Sequence, residues 1–327
     1  MLTAKRVSLL NLDPARYQPS YLHGSSRAFR ESNCYVDIWI ELLHALELDP
    51  ASALAFTCTI DFEGDQWTFF KPPADDLRSL FGIDVHEMQI YRPLTDHISE
   101  RIESGSSVIV EVDSFYLPDT ASTSYRRAHV KSSIAVEGID VGDERLRYFH
   151  GAGYHELQGE DFRGLFRLGR TFSDDVLPPY IELIRFDAGA RLEGPALRSK
   201  VRELLQRHLA QRPRTNPYLE FGARLTADLP ALLAGTDARY HAYAFATLRQ
   251  CGAAFELASS FVEWLADPAN ASAHAAREAL NRQVATIKGL VFRLARRRPF
   301  DPGPQIRQLA EDWDLAMGEL QHLCLSS

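Results

Sequence analysis

Cysteine is scarce in this sequence and none of it is paired. Cys34, Cys58, Cys251 and Cys324 are the four among 327 residues. No two form a C-x-x-C pair or fit the spacing of a zinc module. The expectation is therefore no metal site and a cytoplasmic protein with reduced thiols. Phosphate-binding strings are also missing. Neither G-x-G-x-x-G nor G-x-x-x-x-G-K-[ST] occurs, so there is no dinucleotide or nucleotide signature. G-x-S-x-G is absent too, which removes the ordinary serine-hydrolase elbow. No stretch approaches the roughly 18 apolar residues of a membrane span. The opening MLTAKRVSLLNLD has too short an apolar run for a signal peptide. Positive charge is in deficit, with 36 Lys and Arg against 44 Asp and Glu. A net charge of −8 argues against a general nucleic-acid binder.

The composition that remains, 45% hydrophobic and 24% charged, is that of a globular protein. The length allows one large domain or two ordinary ones. Up to about residue 190 the chain mixes helix and strand signals. In ESNCYVDIWIELLHAL (31–46), Tyr35, Ile38, Trp39, Leu42, Leu43 and Leu46 recur at helical spacing. Ser32 or Asn33 can cap that helix, and Leu48-Asp49-Pro50 stops it. ALAFTCTIDF (53–62) reads as a buried strand. Short helices follow over 74–83 and 93–104, and strands over 107–117, 129–140, 145–150 and 179–187.

From Pro195 onward strand signals vanish. Helices are predicted near 195–210, 217–234, 238–266, 272–297 and 303–324, broken at Pro213, Pro268 and the Pro299–Pro302 run. The expected architecture is α+β over residues 1–190, followed by a helical bundle over 191–327.

Cys34 stands where a helix begins. Free N–H groups and the helix dipole there stabilise an anion, and the thiolate is the reactive form of cysteine. The backbone N–H of Cys34 is also placed to meet a developing oxyanion. Packing as a small hydrophobe is the competing reading. His129, at the start of a predicted strand, is the candidate base. Alternation sets it opposite Val130, Ile134 and Val136.

Other clusters carry less. Asp61, Glu63 and Asp65 begin like a calcium loop, but Gln66 and Pro72 occupy its sixth and twelfth positions. His150 and His155, five apart around two glycines, do not share a helix face. Trp67, Phe69 and Phe70 are candidates for an acyl pocket or for core. The run Arg293–Arg298 ends a helix, either as favourable cation placement or as a dock for an acidic helix.

The order helix with leading cysteine, buried strands, histidine-led strand and hairpin resembles papain-like thiol enzymes, in which a third polar residue orients the imidazole. The segments NCYVDIWIELLHALELDP, DFEGDQWTFFKPP, VEVDSFYLPD and YFHGAGYHEL resemble a bacterial family defined as a domain of unknown function, over nearly the whole chain. A looser resemblance, over about 20–165, is to the butirosin biosynthesis protein H N-terminal domain. It rests on Cys34, Asp113 with Tyr116-Leu117-Pro118, His129 and Gly138-Ile139-Asp140.

That likeness implies acyl transfer through a cysteine: an acyl or aminoacyl group leaves a carrier-protein thioester for a small-molecule or peptide amine. Cys34 is then the nucleophile and His129 the base, with Asp113, His150 or Asp140 as orienter. Asn33, Trp67 and Tyr116 are candidate substrate contacts. The phosphopantetheine arm arrives with the carrier protein, so no further cofactor is implied, and neither nucleic acid nor membrane is expected as partner. Papain-like peptidases carry glutamine six residues before the cysteine. Ala28 stands there, leaving Arg27, Arg30 or a backbone N–H as second oxyanion donor. A thiol peptidase or amidase, and a non-catalytic binding protein on the same fold, are the alternatives.

Overall fold

In the computed structural model, residues 7–169 and 177–325 are described. The chain forms two compact units that are not separated by a single cut. Residues 22–33 and 49–76 belong with 192–327, while 34–48 and 77–191 belong with the N-terminal stretch.

The first unit is built on one antiparallel sheet. Its strands are β1 (Val7–Ser8), β2 (Ile83–Glu87), β3 (Ser107–Asp113), β4 (Lys131–Asp140), β5 (Arg145–His150), β6 (Gly153–Gln158) and β7 (Ile181–Phe186). They lie in the order β2-β7-β3-β4-β5-β6, with β1 pairing the far end of β4. Strands β4 and β5 form the expected hairpin, with a register shift between Val136 and Gly138.

The alternation of β3 and β4 fixes two faces. Val108, Val110 and Val112 pair with Val136, Ile134 and Ser132. These valines and Ile134 join an apolar cluster with Ile98 and Ile102 of α3 (Leu94–Glu103) and Phe162 and Leu165 of α4 (Glu160–Leu165). Ile109, Glu111 and Asp113 point the other way.

Helix α1 (Cys34–Ala45) covers that second face. The Tyr35 hydroxyl donates to Glu182 Oε2 at 2.6 Å, and Glu182 sits opposite Ile109. Tyr17 packs its ring on Phe149 and donates to Glu41 Oε2 at 2.6 Å. Glu137 is equally buried, and accepts from Ser8 Oγ, the Leu10 and Asn11 amides and the Tyr154 hydroxyl. Three buried carboxylates, Glu41 on α1 itself and Glu137 and Glu182 on the sheet, each have a tyrosine hydroxyl on them. Burial first, and the adjacent carboxylates next, raise the pKa of Tyr17 and Tyr35. These phenols remain protonated donors. Helix α2 (Ala74–Phe81) ends at Gly82, whose φ is +66°. A Cβ there would stand 2.3 Å from the Asp187 carbonyl oxygen, so glycine is required.

The second unit is helical. It contains α5 (Gly194–Ala210), α6 (Pro217–Ala234), α7 (Asp237–Ala244), α8 (Gln250–Leu265), α9 (Ala271–Ala295) and α10 (Gly303–Leu325). Asn216, Thr236 and Asn270 cap α6, α7 and α9 through their side chains. One π-turn, Phe245–Arg249, interrupts the helix expected over 238–266.

The strand expected over 53–62 is not there. Pro50–Ala53 and Ala55–Thr59 form two 3-10 turns that pack against α5 and α8. Asp49 caps the first, and Thr57 and Thr59 hydrogen-bond back to Leu54 and Phe56. Phe56, Cys58, Ile60 and Phe62 alternate with Thr57, Thr59 and Asp61 as a strand would, but burial of nearly the whole segment favours a helical backbone that satisfies its own polar groups.

Candidate active site

The loop after β3 returns to start β4, and the ladder continues past the strand ends through Ser114 N–H to the Val130 carbonyl. This brings His129 to Asp113. His129 Nδ1 lies 2.6 Å from Asp113 Oδ2, and Asp113 Oδ1 accepts from the Phe115 amide at 3.0 Å. The carboxylate accepts, so Nδ1 carries the proton and Nε2 holds the lone pair of the neutral ring. The imidazole stacks on Phe115 at 4.5 Å and 13°. Its side chain is 69% exposed. Asp113 lies on the face of the sheet that α1 covers, by alternation from Ile109.

Cys34 is the first residue of α1, half-buried and reduced. No hydrogen bond joins its thiol to His129 among the described residues. The other cysteines have surroundings that disfavour a thiolate. Burial pushes Cys58 up to about 12 and Cys251 higher still, and it also raises Cys324.

Of the three candidates for orienting His129, only Asp113 is brought to it. Asp140 accepts from the Asp143 amide and shapes the β4–β5 turn. His150 lies on the opposite face, beyond Leu146 and Tyr148 in the alternation of β5. Its Nδ1 is 2.5 Å from Asp119 Oδ2 and its Nε2 is 2.6 Å from Ser132 Oγ. The Tyr148 hydroxyl donates to Asp119 Oδ1 at 2.5 Å. Burial alone would raise the pKa of Asp119. The hydrogen bond and charge of His150, with lesser help from His155 and Tyr148, more than offset it and hold the carboxyl below its usual value. Of this cluster only His150 stands out in the sequence. Asp119 closes the VEVDSFYLPD segment in a short 3-10 turn without a chemical motif, and Ser132 reads as an ordinary polar strand residue.

The candidate substrate contacts are enclosed. Tyr116 packs in the apolar cluster of the first unit, with Gly164 against its ring. Trp67 is 1% exposed in the helical unit, ringed by Phe62, Tyr218, Phe221 and Phe255. Asn33 is buried in the same unit and donates to the Phe70 carbonyl and Gln250 Oε1. Arg27 donates to the Leu22 and Glu256 carbonyls, and Arg30 to the His23 carbonyl. The Ala28 and Phe29 amides are taken by the Glu256 carboxylate. Among the described residues, no group of three His, Cys, Asp or Glu side chains could hold a metal. No described helix is long and apolar enough to cross a membrane.

No curated protein matches the chain. The model of the DUF1839 N-terminal domain matches residues 18–186, and that of the DUF1839 C-terminal domain matches 194–322. Together they span most of the sequence, and the chain belongs to the DUF1839 family.

Proposed function

We infer that the chain is a cysteine-dependent acyl- or aminoacyltransferase. The observation that carries this reading is the His129–Asp113 pair. One carboxylate fixes Nδ1, and Nε2 is left as a free base at an exposed edge of the sheet face on which α1, headed by Cys34, is packed. A cysteine-headed helix on an antiparallel sheet with a histidine leading a strand is also the arrangement of papain-like thiol enzymes. The looser likeness to the butirosin protein H domain favours transfer over proteolysis.

In this mechanism His129 Nε2 takes the Cys34 proton as sulfur attacks the thioester carbonyl of an acylated carrier protein. The carrier thiolate leaves and picks up that proton. An amine then attacks the Cys34 thioester, gives its proton to Nε2 and regenerates the thiol as the amide forms. Asp113 steadies the imidazolium in both halves. Phosphopantetheine enters on the carrier, and the enzyme supplies no cofactor.

The test is intact-mass analysis after incubation with carrier proteins bearing aminoacyl and fatty-acyl thioesters. An acyl adduct mapped to Cys34 supports the reading. An unmodified chain with every donor overturns it. Discharge of the adduct by water alone would assign a thiol hydrolase instead.

A further inference from the structure

We propose that Ser132, His150 and Asp119 form a second nucleophilic centre, an esterase-type relay on the face of the sheet away from α1. The three side chains stand in one unbroken line of hydrogen bonds, 2.6 Å from Ser132 Oγ to His150 Nε2 and 2.5 Å from Nδ1 to Asp119 Oδ2. Such a relay is recognised by geometry and roles, not by chain order or by a sequence string.

The direction of each hydrogen bond follows from the acceptors. Asp119 is a carboxylate, and its other oxygen already receives the Tyr148 hydroxyl at 2.5 Å. Burial, with the carboxylate beside it, holds that phenol protonated. Oδ2 therefore takes its proton from His150 Nδ1. The neutral ring then has its lone pair on Nε2, and the Ser132 hydroxyl donates to it. That is the polarity of an activated alcohol. Ser132 Oγ accepts no hydrogen bond among the described residues, so its lone pairs are not otherwise engaged.

The surroundings select the substrate. Ser132 sits opposite Val112 and alternates with Ile134, both in the apolar cluster. It is also two positions from the exposed Val130 and next to the exposed Lys131, at the leading end of β4. A nucleophile just inside the surface, backed by hydrocarbon, suits a carboxylic ester with a small apolar acyl group. His150 Nε2 takes the hydroxyl proton as Oγ bonds to the acyl carbon. The acyl–oxygen bond of the ester breaks, and the alcohol leaves with that proton. Water, losing its proton to the same nitrogen, then releases the acid and restores Ser132.

An alkyl fluorophosphonate tests this on the intact chain. Ser132 Oγ displaces fluoride at phosphorus, and peptide mass mapping locates the stable adduct. The expected result is modification at Ser132. In His150→Gln the rate should fall at least about 100-fold, the span of general-base assistance. In Ser132→Ala the adduct at that peptide should vanish. A folded wild-type chain that stays unlabelled at Ser132 overturns the proposal, as does equal labelling in a folded His150→Gln variant. The wild-type result needs no variant to fold.

Discussion

His129 stands just before β4 and His150 ends β5, neighbouring strands of one sheet, and each has Nδ1 on an aspartate at 2.5–2.6 Å. Their settings are opposite. The His129 side chain is 69% exposed and rests on the flat of Phe115, whereas His150 is 11% exposed and has both nitrogens engaged. The same bond therefore does different work. At the surface, water competes for both partners and the pair adds under about 1 kcal/mol to stability. Below the surface, removing one partner strands a buried polar or charged group, at about 3–5 kcal/mol. The pairing alone does not set what its loss costs; burial does.

The largest effect is expected on chemistry at the exposed end. Cys34→Ala should abolish the acyl adduct altogether, and His129→Ala should slow its formation about 100-fold or more, both read by intact mass over time. Next comes stability. His150→Ala should cost about 3 kcal/mol in urea unfolding, because it leaves the Asp119 carboxylate buried and unpaired. Equal cost for His129→Ala would show that burial does not separate the two pairs.

A third effect is pH dependence. Asp119 is held below its usual 3.8 in the folded chain. Its stabilisation is therefore complete above that value and is lost as pH falls through the lower folded one. The stability gap between wild type and Asp119→Asn should be constant near neutrality and shrink below about pH 4, by melts across pH. A gap that widens in acid would contradict this sign. The smallest change is expected for Tyr148→Phe, about 1 kcal/mol, since it removes one hydroxyl from a carboxylate that keeps His150.

The elements that carry His129 and Cys34 were legible in the sequence. The alternation of 129–140, the strand signal over 107–117 and the helical spacing after Cys34 marked β4, β3 and α1, while Asp113 was one of three candidates to orient His129 until the β3–β4 pairing brought it there. The long helices after Pro195 were marked by their proline breaks. What failed to show was overridden or non-local. Phe56, Cys58, Ile60 and Phe62 alternate with Thr57, Thr59 and Asp61 like a strand, yet both threonines bond back into their own 3-10 turn. The Ser132 relay joins a loop, a strand start and a strand end that only the sheet brings together.

The interleaved path of the chain has a consequence for how it is made. Phe62, Trp67 and Phe70 leave the ribosome well before Tyr218, Phe221 and Phe255, the rings that enclose Trp67. About 150 residues of synthesis separate the two sets, so the early aromatics wait without their cover. A nascent chain halted near residue 200 should bind an apolar dye or a holdase chaperone strongly, and the released full-length chain should not.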